Sequence, residues 1–305
     1  MTVSVTPYER ALRHLAERDD RVVVLTAENR AAIRGLPEIL GPRFVDVGIC
    51  EQAMIGVAAG MALGGRRPIA HALATFLTLR ALEFIRDDLA LPRLPAVLVG
   101  AVPGFLSEAN GPTHQAIDDV AIMRALPGVR VVCPADEEEL ADAMPALLAE
   151  GAPCYVRHIG LPPAFPSPAP FEIGRAAILS DGDEIGLLTY GLCAREAFAA
   201  TAELRRRGRS VRLVHARSLK PIDEDAILTT IRRCRVVLTI EDHLTSGGLF
   251  TAAAELCARR GIGARIIPLG LEERWFVPAM LPDVLDLEGF SASRLVERIE
   301  RALPS

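Results

Sequence analysis

Lysine is almost missing from this chain. Of its 34 basic side chains among 305 residues, only Lys220 is lysine and the others are arginine. No GxxxxGK[ST] phosphate loop therefore exists, and any Schiff-base chemistry would have to use Lys220. A GC-rich genome's preference for arginine codons accounts for the skew, and arginine can still bind phosphate bidentately. Six cysteines occur without a CxxC pair or metal-ligand spacing, the pattern of reduced thiols in a cytoplasmic protein. No HExxH, EF-hand loop, GxSxG elbow or strand-following GxGxxG is present, so no metal site is expected on this chain. Uninterrupted apolar runs fall short of the ~18 residues a membrane span needs, and MTVSVTPYER lacks the basic-then-apolar pattern of a leader. Strong positive charge is missing too: 34 basic against 39 acidic residues give a net charge of −5, which favours neither nucleic acid nor an anionic membrane. A soluble, cytoplasmic protein is expected.

At ~150 residues per domain, the length suggests two domains. One composition break divides the chain, the segment LPPAFPSPAP at 161–170, whose prolines make it extended and semi-rigid. It reads as a linker between a domain at 1–160 and a second at 171–305. Before it, strand-like runs at 21–25, 43–48, 67–73, 94–101 and 129–135 alternate with helical patterns at 6–18, 51–64, 76–90, 115–125 and 136–149. After it, strands at 184–190, 210–215, 235–240 and 264–267 alternate with helices at 194–207, 222–233, 247–260 and 291–303. Short β-branched runs between helices predict parallel sheets covered on both faces, hence two doubly wound α/β domains. Ligands of such folds sit at the carboxyl ends of strands.

Four segments fall there. FVDVGICEQAMIG places Glu51 where a strand turns into a helix rich in small residues; it is either a first-turn acid favoured by the helix dipole or a catalytic carboxylate. SEANGPTHQ, at 107–115, puts His114 in a polar loop after an apolar strand. Its imidazole suits proton transfer near neutrality, although Thr113 as a helix cap would make His114 incidental. Arg157, in YVRH, ends a strand as an anion clamp or a surface ion pair. Phe76 opens a helix, a common position for a core aromatic.

In series, VGICEQAMIGVAAGMAL, NGPTHQAIDDVAIMRALP and VVCPAD resemble the carboxyl-terminal half of transketolase, above all the split type whose halves are separate chains. Deoxyxylulose-phosphate synthase and the β subunits of 2-oxoacid dehydrogenase E1 are related. Residues 1–160 resemble the pyrimidine-binding domain of thiamine-diphosphate enzymes, and 171–305 the transketolase C-terminal domain through SLKPID at 218–223 and IEDH…GGL at 240–249. The resemblance implies a two-carbon ketol transfer from a ketose phosphate to an acceptor. Glu51 matches the glutamate that contacts the cofactor's aminopyrimidine and promotes its imino tautomer. Phe76 matches an aromatic packed on that ring, and Leu73 falls where a second aromatic often sits. His114 matches the histidine that bonds substrate oxygens, and Arg157 the arginine holding the sugar phosphate. Glu28 stands where the family usually has aspartate. Two positions depart: Val102 replaces a substrate-facing histidine, and Asn110 an aspartate that reads a sugar hydroxyl, which changes the hydroxyls recognised. The GDG…N motif that holds diphosphate and Mg²⁺ in these enzymes does not occur. An N-terminal partner subunit carrying it is expected, in an α2β2 assembly with thiamine diphosphate across the interface and the Mg²⁺ ligands on the partner. Alternatives are an E1 β-type subunit passing a glycolyl or acyl unit to a lipoyl or carrier-protein arm, and a non-catalytic scaffold subunit.

Overall fold

The computed structural model describes residues 5–303. Among the described residues, twelve strands form two sheets. The first holds β1 (Val22–Thr26), β2 (Phe44–Asp46), β3 (Arg67–Leu73), β4 (Val97–Ala101), β5 (Arg130–Val132) and β6 (Cys154–His158). The second holds β7 (Ala177–Ser180), β8 (Ile185–Thr189), β9 (Val211–His215), β11 (Val236–Leu244) and β12 (Ile266–Leu271). The remaining strand, β10 (Ser218–Lys220), crosses over and joins the first sheet beside β5. Strand orders are β10-β5-β6-β4-β3-β1-β2 and β12-β11-β8-β9-β7.

The order reverses inside each sheet, as a doubly wound topology requires, with helices on both faces. Strand β1 shows why. Each of its residues is buried, yet Val23 and Leu25 pack with Met54, Ile55 and Leu98, while Val22 and Val24 pack with Tyr8, Leu12 and Val99. The twofold side-chain alternation of a strand sends neighbours to opposite faces, so an unbroken apolar run needs cover on both. The sheets are not wholly parallel, as expected from the alternation, but parallel-dominated. The edge pairs β10–β5 and β7–β9 are antiparallel. These edge strands are short and follow no helix, so no crossover forces their direction.

Local signals set several helix boundaries. Thr6 Oγ accepts from the Glu9 amide at 3.1 Å and Pro7 opens the helix Pro7–Arg18. Asp136 caps Glu137–Ala149 by accepting from the Glu139 amide at 2.9 Å. The helix expected over 76–90 is instead three short pieces, with wide π-type turns at Phe76–Arg80 and Ile85–Ala90 around Leu82–Phe84. The helix expected from 115 begins at Asp119, because 112–114 form a tight 3₁₀ turn. Residues 159–176 contain no helix or strand. One apolar cluster runs from Met54 and Leu98 through Tyr155 to Leu188 and Val214, so the two sheets share a continuous core.

Candidate active site

Strands β1, β3, β4 and β6 are parallel, so their carboxyl ends share one side of the first sheet. Glu51 opens the helix Glu51–Leu63 after β2, and its side chain is buried. Its carboxylate accepts from Arg80 Nη1 at 2.7 Å. That guanidinium also lies over the Phe76 ring, 4.2 Å from its centroid. Phe76 in turn meets His114 edge-on, with ring centroids 5.1 Å apart. A carboxylate, a cation, an aromatic face and an imidazole thus adjoin one another at the strand ends. Phe76 and His114 are both half-buried, and His114 Nδ1 lies 3.0 Å from Thr113 Oγ.

Arg80 escaped the reading of the sequence. Its signal was the spacing TFLTLR, in which a residue four beyond Phe76 returns to the same helix face. Leu73, also half-buried, ends β3 opposite Ala101 of β4. Val102 follows β4 at φ 58°, a left-handed conformation that costs a β-branched residue about 1–3 kcal/mol and clusters at functional sites. Glu108 is likewise left-handed, at φ 48°. Asn110 is exposed and donates to the Ser107 carbonyl at 2.9 Å. Glu28 is exposed at the end of β1, where its amide donates to Asp46 Oδ1 at 3.1 Å.

Arg157 requires a correction. It does not face the strand-end cavity as an anion clamp would, nor does it form a surface ion pair. It is fully buried between the sheets, with Nε 2.9 Å from Asp119, Nη1 2.6 Å from Asp242 and Nη2 3.1 Å from the Ala116 carbonyl. Tyr155 donates to the same Asp119 carboxylate at 2.6 Å. Burial alone would push the Asp119 carboxyl up, but the adjacent guanidinium outweighs it and holds it below the usual carboxylate range. With its donors committed to protein oxygens, Arg157 offers nothing to a substrate phosphate.

A cavity of about 420 Å³ opens over the same strand ends, lined by Asn29, His71, Val102, Glu108, Glu137 and His158 among others. Among the described residues, no group of three or more His, Cys, Asp or Glu side chains could hold a metal ion. No helix of the described residues is long and apolar enough to cross a membrane.

The fold and this site define a doubly wound α/β protein with a carboxylate, a guanidinium, an aromatic ring and an imidazole brought together beside its strand ends. Residues 5–158 match the family model "Transketolase, pyrimidine binding domain", and 174–295 match "Transketolase, C-terminal domain". The chain is 35% identical over 252 residues to the 6-deoxy-6-sulfo-D-fructose transketolase subunit SqwH of Clostridium sp. (strain MSTE9), covering 81% of this chain and 78% of that one. It is 34% identical to 1-deoxy-D-xylulose-5-phosphate synthase of Syntrophotalea carbinolica, spanning 92% of this chain but 46% of that enzyme. Among solved structures, a split-gene transketolase described as an inactive beta4 tetramer superposes with a TM-score of 0.88 at 30% identity and 97% coverage of both chains. The chain belongs to the transketolase family, as a C-terminal subunit of the split type, and so to a group of thiamine-diphosphate-dependent transferases.

Proposed function

We propose that this chain is the pyrimidine-binding subunit of a two-component enzyme that moves a two-carbon ketol unit from a ketose to an acceptor aldehyde. The observation that carries the reading is the contiguous set Glu51, Arg80, Phe76 and His114. Its donor chemistry fits thiamine diphosphate in part: a buried carboxylate suits one ring nitrogen of an aminopyrimidine, and a half-buried aromatic suits its face. When bound, that cofactor supplies the carbanion nucleophile. Glu51 holds the proton at the pyrimidine nitrogen, and Arg80 fixes the carboxylate that does so. Phe76 orients the ring and keeps water from it. His114 takes the proton of the ketose C3 hydroxyl as the C2–C3 bond breaks, and returns a proton to the acceptor's carbonyl oxygen as the new carbon–carbon bond forms. The exchange is redox-neutral.

Mg²⁺ and the cofactor's diphosphate belong in this reading to an N-terminal partner subunit, in an α2β2 assembly. The sequence has no GDG…N motif. The phosphorylated donor expected from Arg157 has no support in that residue's position. Glu51→Gln tests the assignment in the two-chain complex with hydroxypyruvate and glycolaldehyde. Loss of one general acid–base group predicts a rate lower by about 10²–10⁴-fold, with the partner still co-purifying. Full retained activity would overturn it.

A further inference from the structure

The strand-end cavity is walled by hydrogen-bonding groups, none of them an arginine or lysine among the described residues. His71, on β3, is fully buried, and neither of its ring nitrogens has a hydrogen-bond partner among the described residues. Its ring stacks on Tyr8 at 5.6 Å and lies 5.7 Å from that of His158. Asn29 Nδ2 is another buried donor without a partner among the described residues. His158 Nε2 lies 3.0 Å from Glu137 Oε1. Glu108 adds a carboxylate, and no arginine or lysine lines the cavity among the described residues.

The cavity's lining comes from the same strands and loops as the candidate catalytic set. Val102 lies just after β4, Glu108 shares its loop with His114, and Phe76 follows the strand that carries His71. Burial, with His158 beside it, drives the His71 imidazole down to about 3, so it stays neutral and offers one donor and one acceptor. A neutral imidazole and a primary amide pair well with sugar hydroxyls. The Glu108 carboxylate, with no arginine or lysine beside it in the lining among the described residues, would repel a phosphate or sulfonate in the same space.

Resting on the ketol-transfer reading, we propose that this cavity receives the distal end of the donor as an unphosphorylated, hydroxyl-terminated sugar chain, with His71, His158 and Asn29 as its hydrogen-bonding and specificity-determining contacts. An unpartnered buried polar group discriminates strongly in favour of the ligand that satisfies it.

The test uses the complex with its partner subunit, loaded with thiamine diphosphate and Mg²⁺, with glycolaldehyde as acceptor. Three donors are compared: hydroxypyruvate, D-xylulose and D-xylulose 5-phosphate. Hydroxypyruvate brings the ketol unit without a distal chain, so its turnover reports on the reaction type alone. The expected result is kcat/KM for D-xylulose at least about tenfold above that for its phosphate. In His71→Ala the ratio should fall to within about threefold, through a raised KM for D-xylulose. A variant that merely folds poorly would lower hydroxypyruvate turnover as well; an unchanged ratio with hydroxypyruvate turnover retained removes His71 from the assignment. Turnover of hydroxypyruvate with equal or better use of the phosphate, or with neither ketose used, overturns the substrate proposal alone. No turnover of hydroxypyruvate overturns the ketol-transfer reading and this one with it.

Discussion

Arg157 of the first sheet and Asp242 of the second hold each other at 2.6 Å with both side chains fully buried. The loop after β4 packs tightly on this contact, since a Cβ built on Gly104, at φ +55°, would fall 1.8 Å from Asp242 Oδ2. An arginine that reads from sequence as a substrate anchor therefore acts as an internal tie. Removing it strands the Asp119 and Asp242 charges away from water. Arg157→Ala should cost about 3–5 kcal/mol of stability, measured by denaturant unfolding. A change below about 1 kcal/mol would show that the tie carries no net stability.

Glu241 predicts a pH dependence. Burial pushes its carboxyl up to about 7, even though it accepts from the Leu249 amide at 2.7 Å and the Phe250 amide at 3.0 Å. The folded state thus holds this proton at pH values where the unfolded chain has released it, between the ordinary glutamate range and about 7. Its contribution is complete below that window and lost as pH rises through it, at about 1.4 kcal/mol per pH unit. Wild type should lose stability relative to Glu241→Gln between pH 5 and 7.5, seen as converging or crossing unfolding midpoints. Parallel curves would refute this.

Arg80 braces Glu51 and covers one face of Phe76. Arg80→Ala should lower turnover of hydroxypyruvate by about tenfold, and Arg80→Lys should restore part of it, because an ammonium keeps the charge without the planar contact. Steady-state kinetics at saturating cofactor separates this from weakened cofactor binding.

The helix Glu51–Leu63 exposes Ala53, Val57, Gly60 and Leu63 along one face, and Leu79, Phe84 and Leu91 of the neighbouring segment are exposed as well. Small exposed residues permit close approach of another surface, and large apolar ones favour it. Val57→Asp should weaken association with a further chain by at least about tenfold, read by sedimentation velocity. Unchanged sedimentation would exclude this face from an assembly.

The site was legible in the sequence wherever neighbours along the chain decide the outcome. Glu51 at a strand-to-helix turn, Phe76 at a helix start and His114 in a polar loop all lie at strand carboxyl ends, as alternating strands and helices imply. The fragmentation of 76–90 escaped, because apolar periodicity does not distinguish α from π turns. Strand β10 escaped as well, since three residues carry too little pattern to reveal a partner in the other sheet.

Local pattern and motif order were enough to determine two doubly wound sheets and the transketolase family. Tertiary structure alone decided which buried polar residues find protein partners and which find none among the described residues. Arg157 and His71 show why. Side-chain alternation puts a residue on one face of its strand, but what covers that face comes from distant segments. For Arg157 the cover is Asp119, Asp242 and the Ala116 carbonyl, to which all three of its nitrogens donate. For His71 it is Tyr8, stacked on the ring, and His158, tilted against it, and neither ring nitrogen finds a partner among the described residues.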